Sequence, residues 1–407
     1  MNRRATAGLL SCILAGAATA CEADSPPASG PSVHDSAGIR IVEYETAPEP
    51  ASPFAFSSPP LYRYGAGLED YAFQSIWRGV LLSDGSAAVA DAFNREIVLL
   101  ESDGTFRGLL AGPGDGPGEI DMIVGLLPAG GDTLLIEDLG HARLTLFAGG
   151  AAVREVDTRF LNRSLRVEGL NAEGQALMTS GSYRRGFREP WLQGHMVRFD
   201  MDAGVLDTVA AYDWVPSSPE DGPRNPFMPG GVVTVSRGRF VYLRDDTPEI
   251  VWRNSNGTIH QIVRWRRAPA YPAEEDWRAF TTSLRTQLRR VNPQIQSETE
   301  FEEMVARVFA DYELVPDEPL PLVSQLFGDR EGRVWLGRWT ADAALNGVTH
   351  YSILADDGRW LGEVQVPERV RILDVAGGRA LGVFRDELGV ESVVLYELLS
   401  AEPEDDA

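Results

Sequence analysis

The sequence predicts an all-β protein: a six-bladed β-propeller with an N-terminal strand closing the last blade and a small helical insertion between blades four and five. The main observation is an internal repeat in which an apolar strand ends in a polar turn with glycine and two further strands follow. Copies begin at Gly85, Gly131, Gly174, Gly238, Gly332 and Gly378. Spacings of 46, 43 and 46 residues match one four-stranded blade, and those of 64 and 94 residues indicate insertions.

Residues 1–20 predict a signal peptide for export. Arg3 and Arg4 precede an apolar stretch, Leu9–Ala18, that is too short to span a bilayer. Small residues then lead into Cys21, as in a bacterial lipobox, where the cysteine receives a lipid and becomes the new N-terminus. We therefore expect a protein of the bacterial cell envelope that is anchored by lipidation of Cys21. Cleavage by a general signal peptidase after Ala-Thr-Ala is the alternative.

Residues 21–36 are predicted to form a lipid-anchored tether, because this segment is polar and rich in Pro, Ser and Ala. Cys12 lies within the signal, so Cys21 is the one cysteine of the mature chain. An internal disulfide is thereby excluded, and acylation of Cys21 would leave no thiol for catalysis. The propeller is expected to occupy residues 37–399, and residues 400–407 form an acidic tail.

The first strand of every blade is expected to lie nearest the axis of the ring. These strands are predicted at Ser75–Leu82, Met122–Leu127, Ser164–Leu170, Gly231–Val235, Leu322–Phe327 and Arg369–Val375. The sixth repeat has no fourth strand of its own, whereas a spare pair of strands, Gly38–Tyr44 and Phe56–Tyr64, precedes the first repeat. We expect this pair to complete the last blade, since a closed ring leaves no sheet edge unpaired.

Two helices are predicted within the insertion, residues 268–319. Apolar residues recur at helical spacing over Ala273–Val291 and Glu298–Tyr312, and acidic residues open both stretches. Asp213–Gly230 and the loop Gly112–Glu119 also connect consecutive blades. Such connections emerge on the same face of a propeller as the loops between second and third strands. We call this the decorated face and predict that it is the binding face.

Two repeats contain residues that resemble the NHL-type unit V-x-D-x-x-N-x-R-I. They are Val89, Asp91, Asn94 and Ile97 in the first repeat and Ile136, Asp138, His141, Arg143 and Leu144 in the second. The loop Gly112–Glu119 resembles the G-x-G-P-G-E segment between blades of bacterial six-bladed propellers of this kind. The resemblance implies a ring scaffold and does not imply one activity. Because NHL-like lyases hold a metal with histidines from several blades, it also suggests a zinc site formed by His141, His195 and His350.

Asp91 and Asp138 occupy matched positions at the end of a second strand, and Asn94 and His141 follow them at the same spacing. One interpretation is that these four residues bind a ligand on the decorated face. The other is that each aspartate accepts hydrogen bonds from backbone amides and shapes the turn. Repetition at matched positions favours this structural role, because repeats preserve what every blade needs.

Arginines and a tryptophan are also predicted at loops between second and third strands, where they would surround the mouth of the channel. They are Arg184 with Arg185, Arg338 with Trp339, and Arg385 with Asp386. Such a rim could bind an acidic or sugar ligand through guanidinium groups and an aromatic face. The alternative is a solvated rim of exposed ion pairs.

The composition excludes several classes of function. A net charge of −23 argues against nucleic acid and against docking on anionic lipid, so membrane contact is expected only through the lipid. All 37 basic residues are arginine, which excludes Schiff-base chemistry and a P-loop lysine. The acidic loop Gly112–Glu119 repels phosphate. Calcium is the cofactor that it suggests, and a role in turn geometry alone is the favoured alternative. No catalytic residue and no metal ligand are assigned.

The leading hypothesis is a monomeric binding module that presents its helix-lidded, decorated face to a protein, peptide or glycan. The alternative is a metal-dependent lyase or a lactonase-type hydrolase at the channel mouth, which would need several Asp, Glu and Asn side chains on the first strands. The segments SIWRGVLL, MIVGLL, GVVTV and LVSQLF supply almost none, so the binding module is favoured. A structural subunit whose partner supplies the activity is a third possibility.

Overall fold

A computed structural model describes residues 30–46, 52–65, 70–161, 164–181, 191–216, 224–292, 294–343 and 347–400. Their strands form six sheets that follow one another along the chain, which confirms the six-bladed propeller. Within these ranges, no helix is long and apolar enough to cross a membrane.

The strand bounds follow the predicted repeats closely. The N-terminal strands are β1 (Ser32–Ser36), β2 (Ile39–Tyr44), β3 (Phe54–Phe56) and β4 (Tyr62–Tyr64). Blade one contains β5 (Ile76–Leu81), β6 (Ala87–Asp91), β7 (Glu96–Leu100) and β8 (Phe106–Ala111). Blade two contains β9 (Ile123–Pro128), β10 (Leu134–Asp138), β11 (Arg143–Ala148) and β12 (Ala151–Asp157). Blade three contains β13 (Leu165–Leu170), β14 (Ala176–Ser180), β15 (Trp191–Asp200) and β16 (Val205–Pro216).

The second half of the ring carries the insertion. Blade four contains β17 (Gly231–Ser236), β18 (Arg239–Arg244), β19 (Glu249–Arg253) and β20 (Ile259–Trp265). The helices α1 (Glu274–Val291) and α2 (Glu298–Phe309) come next. Blade five contains β21 (Val323–Gly328), β22 (Val334–Arg338), β23 (His350–Leu354) and β24 (Trp360–Gln365), and blade six contains β25 (Val370–Ala376), β26 (Arg379–Arg385) and β27 (Glu391–Ser400).

The apolar core lies mainly between neighbouring blades. The second strands are the most deeply buried, and every residue of β6 and of β10 is buried, because both faces of these strands pack against another sheet. The outer strand β12 alternates between exposed and half-buried residues, as expected for an edge with one face toward solvent. First strands of neighbouring blades lie side by side around the axis, for example β5 with β9 and β25 with β5.

The N-terminal strands close the last blade only in part as predicted. β3 and β4 both pair with β27, opposite Leu398–Ser400 and Val393–Leu395, so they supply its missing outer neighbour. The N-terminal segment packs closely against the turn at Gly104 in blade one. The φ of Gly104 is +87°, which favours glycine, and a Cβ there would lie 2.5 Å from the ring of Tyr62.

The prediction that Gly38–Tyr44 also joins the last blade is wrong. β2 pairs in parallel with β20, and β1 pairs with β2, so blade four has six strands. The reason is that β3 and β4 together already occupy the free edge of β27, whereas β20 offers an apolar edge. Val42 is buried there with Val263. β1 also overlaps the predicted tether, residues 21–36, whose last residues therefore belong to a sheet.

The predicted helical hairpin is confirmed between blades four and five. Acidic residues lie in the first turn of both helices, and the hydroxyl of Ser297 accepts a hydrogen bond from the amide of Glu300 at 3.3 Å. The second helix ends at Phe309, three residues earlier than predicted. Phe280 of α1 packs against Phe227, which in turn contacts Trp339 at 5.4 Å between ring centroids. The hairpin is therefore packed onto the decorated face.

Candidate functional site

Asp91 is buried and serves as a turn-forming acceptor. Its two carboxylate oxygens accept hydrogen bonds from four backbone amides, at 2.8 to 3.3 Å, and from the side-chain amide of Asn94 at 3.1 Å; the amides belong to Gln74, Ser75, Phe93 and Asn94. The carboxylate thus joins the entry of blade one to the turn between β6 and β7. This geometry supports the structural interpretation of both Asp91 and Asn94.

Asp138 has the same role in blade two. Its Oδ1 accepts from the amides of Met122 and Gly140, and its Oδ2 lies 2.6 Å from Nδ1 of His141. Burial would raise the pKa of Asp138, but these hydrogen bonds outweigh it and lower the pKa. The hydrogen bonds to Asp138 and Asp115 raise the pKa of His141. His141 therefore acts as a local partner of two carboxylates.

The acidic loop is also held by its own contacts. Glu119 accepts a hydrogen bond from the amide of Gly116 at 2.7 Å, and Asp115 lies 3.1 Å from Nε2 of His141. Calcium binding at this loop stays a prediction. The described parts of the chain hold no group of three or more His, Cys, Asp or Glu side chains arranged to bind a metal ion. His141, His195 and His350 accordingly do not form one cluster.

The residues of the predicted arginine rim lie in different environments in the structure. Arg338 pairs with Glu363 of the outer strand at 2.7 Å, and Trp339 is packed against Phe227 beneath the helical hairpin. Of the predicted rim residues that the structure describes, Arg385 and Asp386 line a cavity of the decorated face. Arg184 and Cys21 lie outside the described residues.

That cavity has a volume of about 790 Å³ and is enclosed by α1 and by blades one, five and six. Gln287 and Arg290 line it from α1, Ser75 and Trp77 from blade one, Ser324 and Gln325 from blade five, and Arg369, Arg371, Arg385 and Glu391 from blade six. We call it the helix-lidded cavity. It combines guanidinium groups, neutral hydrogen-bonding groups and a half-exposed indole, so it can hold a polar organic molecule.

Blade six positions three of the arginines. Arg385 donates to Glu391 through Nε at 3.2 Å, and the other oxygen of Glu391 accepts from the amide of Ile76 at 2.7 Å. Arg369 pairs with Glu387 at 3.1 Å near the opening. Arg371 instead donates to the backbone carbonyl of Ile76 at 2.7 Å. Burial lowers the pKa of Arg371, although the neighbouring Glu391 opposes this shift.

The prediction that the first strands supply almost no Asp, Glu or Asn side chains holds for the segments SIWRGVLL, MIVGLL, GVVTV and LVSQLF but not for the other two first strands. β13 carries Glu168 and β25 carries Asp374, besides Arg166 and Arg371. Glu168 accepts a hydrogen bond from the hydroxyl of Thr179 at 2.7 Å. Glu137 of β10 accepts from the amide of Val167 at 3.1 Å, and burial raises the pKa of Glu137 to about 7. Blades two, three and six therefore carry more carboxylates on their first and second strands than the four segments indicated.

Sequence reasoning missed Arg290, Gln287 and Arg371. The alternation Arg369-Val-Arg371-Ile372 in a predicted first strand was a usable signal, because it directs every second side chain toward the axis. Arg290 gave no such signal. It lies in the last turn of α1, where arginine is also expected from the helix dipole alone.

No protein-family model and no curated protein matches this chain. Among solved structures, the chain is similar to a candidate exported protein from Bacteroides fragilis, at 10% identity and a TM-score of 0.49, covering 89% of this chain and 100% of that one. It is also similar to a gluconolactonase from Xanthomonas campestris, at 15% identity and a TM-score of 0.42, covering 80% and 87%. A third similar structure is virginiamycin B lyase from Staphylococcus aureus, at 9% identity and a TM-score of 0.40, covering 86% of this chain and 90% of that one. These likenesses extend to the fold alone, and the named activities belong to those proteins.

Proposed function

We propose that this protein is an exported, envelope-anchored binding module whose ligand site is the helix-lidded cavity. One observation carries the proposal: a cavity of about 790 Å³ lies on the decorated face, between α1 and three blades. This volume is within the range of small-molecule sites, and the first strands β5, β21 and β25 contribute to its lining. The ligand is expected to be a small polar molecule or the end of a peptide or glycan.

Filling the cavity should abolish binding. Gln287 lies on the cavity side of α1, so Gln287→Trp would place an indole in the space that a ligand needs. We expect ligand-observed NMR with mixtures of saccharides, dipeptides and organic acids to detect binding by the soluble chain from residue 22. Affinity should fall at least tenfold in Gln287→Trp.

The matched control is Thr282→Trp, which changes an exposed residue of the same helix. This variant should bind as the unaltered chain does. The proposal is refuted if no component of the mixtures binds, or if Gln287→Trp binds with unchanged affinity.

The membrane anchor is proposed from the lipobox-like segment before Cys21, and export agrees with the signal-like residues 1–20. Several acyl chains on one cysteine hold a protein firmly on a membrane, whereas this chain has too much negative charge to bind anionic lipid. Cys21→Ser should therefore move the protein from the membrane fraction to the soluble fraction of the producing cells. Cys12→Ser is the control, and equal fractionation of both variants would contradict the anchor.

A further inference from the structure

The charges around the helix-lidded cavity do not follow the charge of the whole chain. The chain carries a net charge of −23, yet four arginines line the cavity against three carboxylates, those of Asp386, Glu387 and Glu391. A local excess of positive charge in a strongly acidic protein attracts anions to that place.

Two of the four arginines lack a carboxylate partner. Arg371 and Arg290 form no ion pair with any residue that the structure describes, although Arg385 and Arg369 are paired with Glu391 and Glu387. Arg385 repels the charge of Arg290, and Glu391, which attracts it, is already bonded to Arg385. Arg371 is half-buried, and a guanidinium partly removed from water without a carboxylate partner is costly unless an anion completes it. Arg290 is exposed and adds a second guanidinium without a carboxylate partner at the cavity.

The other side chains that line the cavity indicate whether the anion is an organic acid or an inorganic ion. A guanidinium presents parallel N–H groups that match the two oxygens of a planar carboxylate. Ser75, Ser324, Gln287 and Gln325 add neutral donors and acceptors, and the indole of Trp77 is 47% exposed. These groups suit a polar organic body with an apolar or sugar face better than an inorganic ion.

We infer that the helix-lidded cavity binds a small organic acid through its carboxylate, with Arg290 and Arg371 as the charged partners of that group. The inference rests on the proposed function and specifies its ligand class. The excess of a single positive charge favours a monocarboxylate over a dicarboxylate.

The test uses matched acids and neutral analogues, titrated calorimetrically into the soluble chain from residue 22 at low salt. The pairs are glucuronate with glucose and N-acetylalanine with N-acetylalanine amide, and sulfate is a separate probe. We expect at least one acid to bind ten times more tightly than its neutral partner and more tightly than sulfate. Arg290→Gln should weaken that acid about tenfold and Arg371→Gln about a hundredfold.

Arg338→Gln is the control, because Arg338 is paired with Glu363 and neither residue lines the cavity. This substitution should leave the affinity for the acid unchanged. Arg371→Lys, which keeps the charge but loses the planar fork, should retain the fold and still bind less tightly; thermal melting verifies folding of each variant. Equal or tighter binding of the neutral analogues would refute recognition of a carboxylate, and the proposed binding function would still hold. Tighter binding of sulfate, or no binding of either acid, would also overturn it.

Discussion

A chain that starts at residue 66 is expected to lose cooperative folding, whereas a chain that starts at residue 47 is expected to remain a folded ring. The first truncation removes β3 and β4, which are the outer neighbours of the ten-residue strand β27 in the part of the chain that the structure describes. It also removes Tyr62 and Tyr64, which are buried with Leu395 between blades six and one. An apolar strand edge would then be open to intermolecular pairing, so aggregation should accompany the loss of structure.

The second truncation removes only the hairpin β1–β2 from the outside of blade four. Burial of Ile41 and Val42 is lost, together with the hydrogen bond from the amide of Trp360 to the hydroxyl of Tyr44. These losses should lower the free energy of unfolding by about 3–5 kcal/mol without opening the ring.

Urea unfolding followed by circular dichroism, with size-exclusion chromatography, distinguishes the two truncations. The chain from residue 22 is the reference. If the chain from residue 66 unfolded cooperatively at the same urea concentration as the reference, β3 and β4 would not be needed to close the propeller. If the chain from residue 47 failed to fold, the added pair on blade four would be essential.

Matched amide substitutions in two blades are expected to have opposite effects. Asp91 ends the second strand of its blade and Asp245 directly follows that of its own. The carboxylate of Asp91 accepts six hydrogen bonds, the sixth from the hydroxyl of Tyr71, whereas that of Asp245 accepts one, from the amide of Gly230. In Asp91→Asn, one oxygen becomes an amide that faces donors. We expect a loss of about 2–4 kcal/mol in the free energy of unfolding.

Asp245→Asn should stabilise the protein at pH 8. Burial raises the pKa of Asp245 to about 8, from 3.8 in the unfolded chain. The folded state therefore binds more protons than the unfolded state between these values, and stability falls as the pH rises from about 4 to 8. Since an amide has no charge to lose, Asp245→Asn should remove this fall, a gain of about 5 kcal/mol at pH 8 and little at pH 4.

Urea unfolding at pH 4.5 and 8 measures both variants against the unaltered chain. Asp103→Asn is the control, because hydrogen bonds from Thr105 lower the pKa of this exposed carboxylate and place its titration below the range compared. Equal loss of stability in Asp91→Asn and Asp245→Asn at pH 8 would show that the two positions are equivalent, contrary to the structure.

Local patterns in the sequence determined the repeat, the blade count, the positions of the strands and the two helices. Each depends on neighbours within about 45 residues: alternating strands, turn glycines and helical spacing of apolar residues. The structural role of Asp91 and Asp138 was favoured for the same reason, since an aspartate that binds its own turn needs only nearby amides.

Only the tertiary structure decided which distant parts of the chain meet. Residues 39–44 and 54–64 are equally plausible as edge strands, and the choice of β20 or β27 as partner depends on which edge remains free after the ring has closed. The helix-lidded cavity likewise joins Arg290 of an insertion to Arg371 of the last blade, and neither residue lies in a motif. Pairing across a ring is set by the closure of the whole chain, because edge hydrogen bonds carry little sequence specificity. The sequence by itself therefore determined the blades, and three-dimensional closure determined the site.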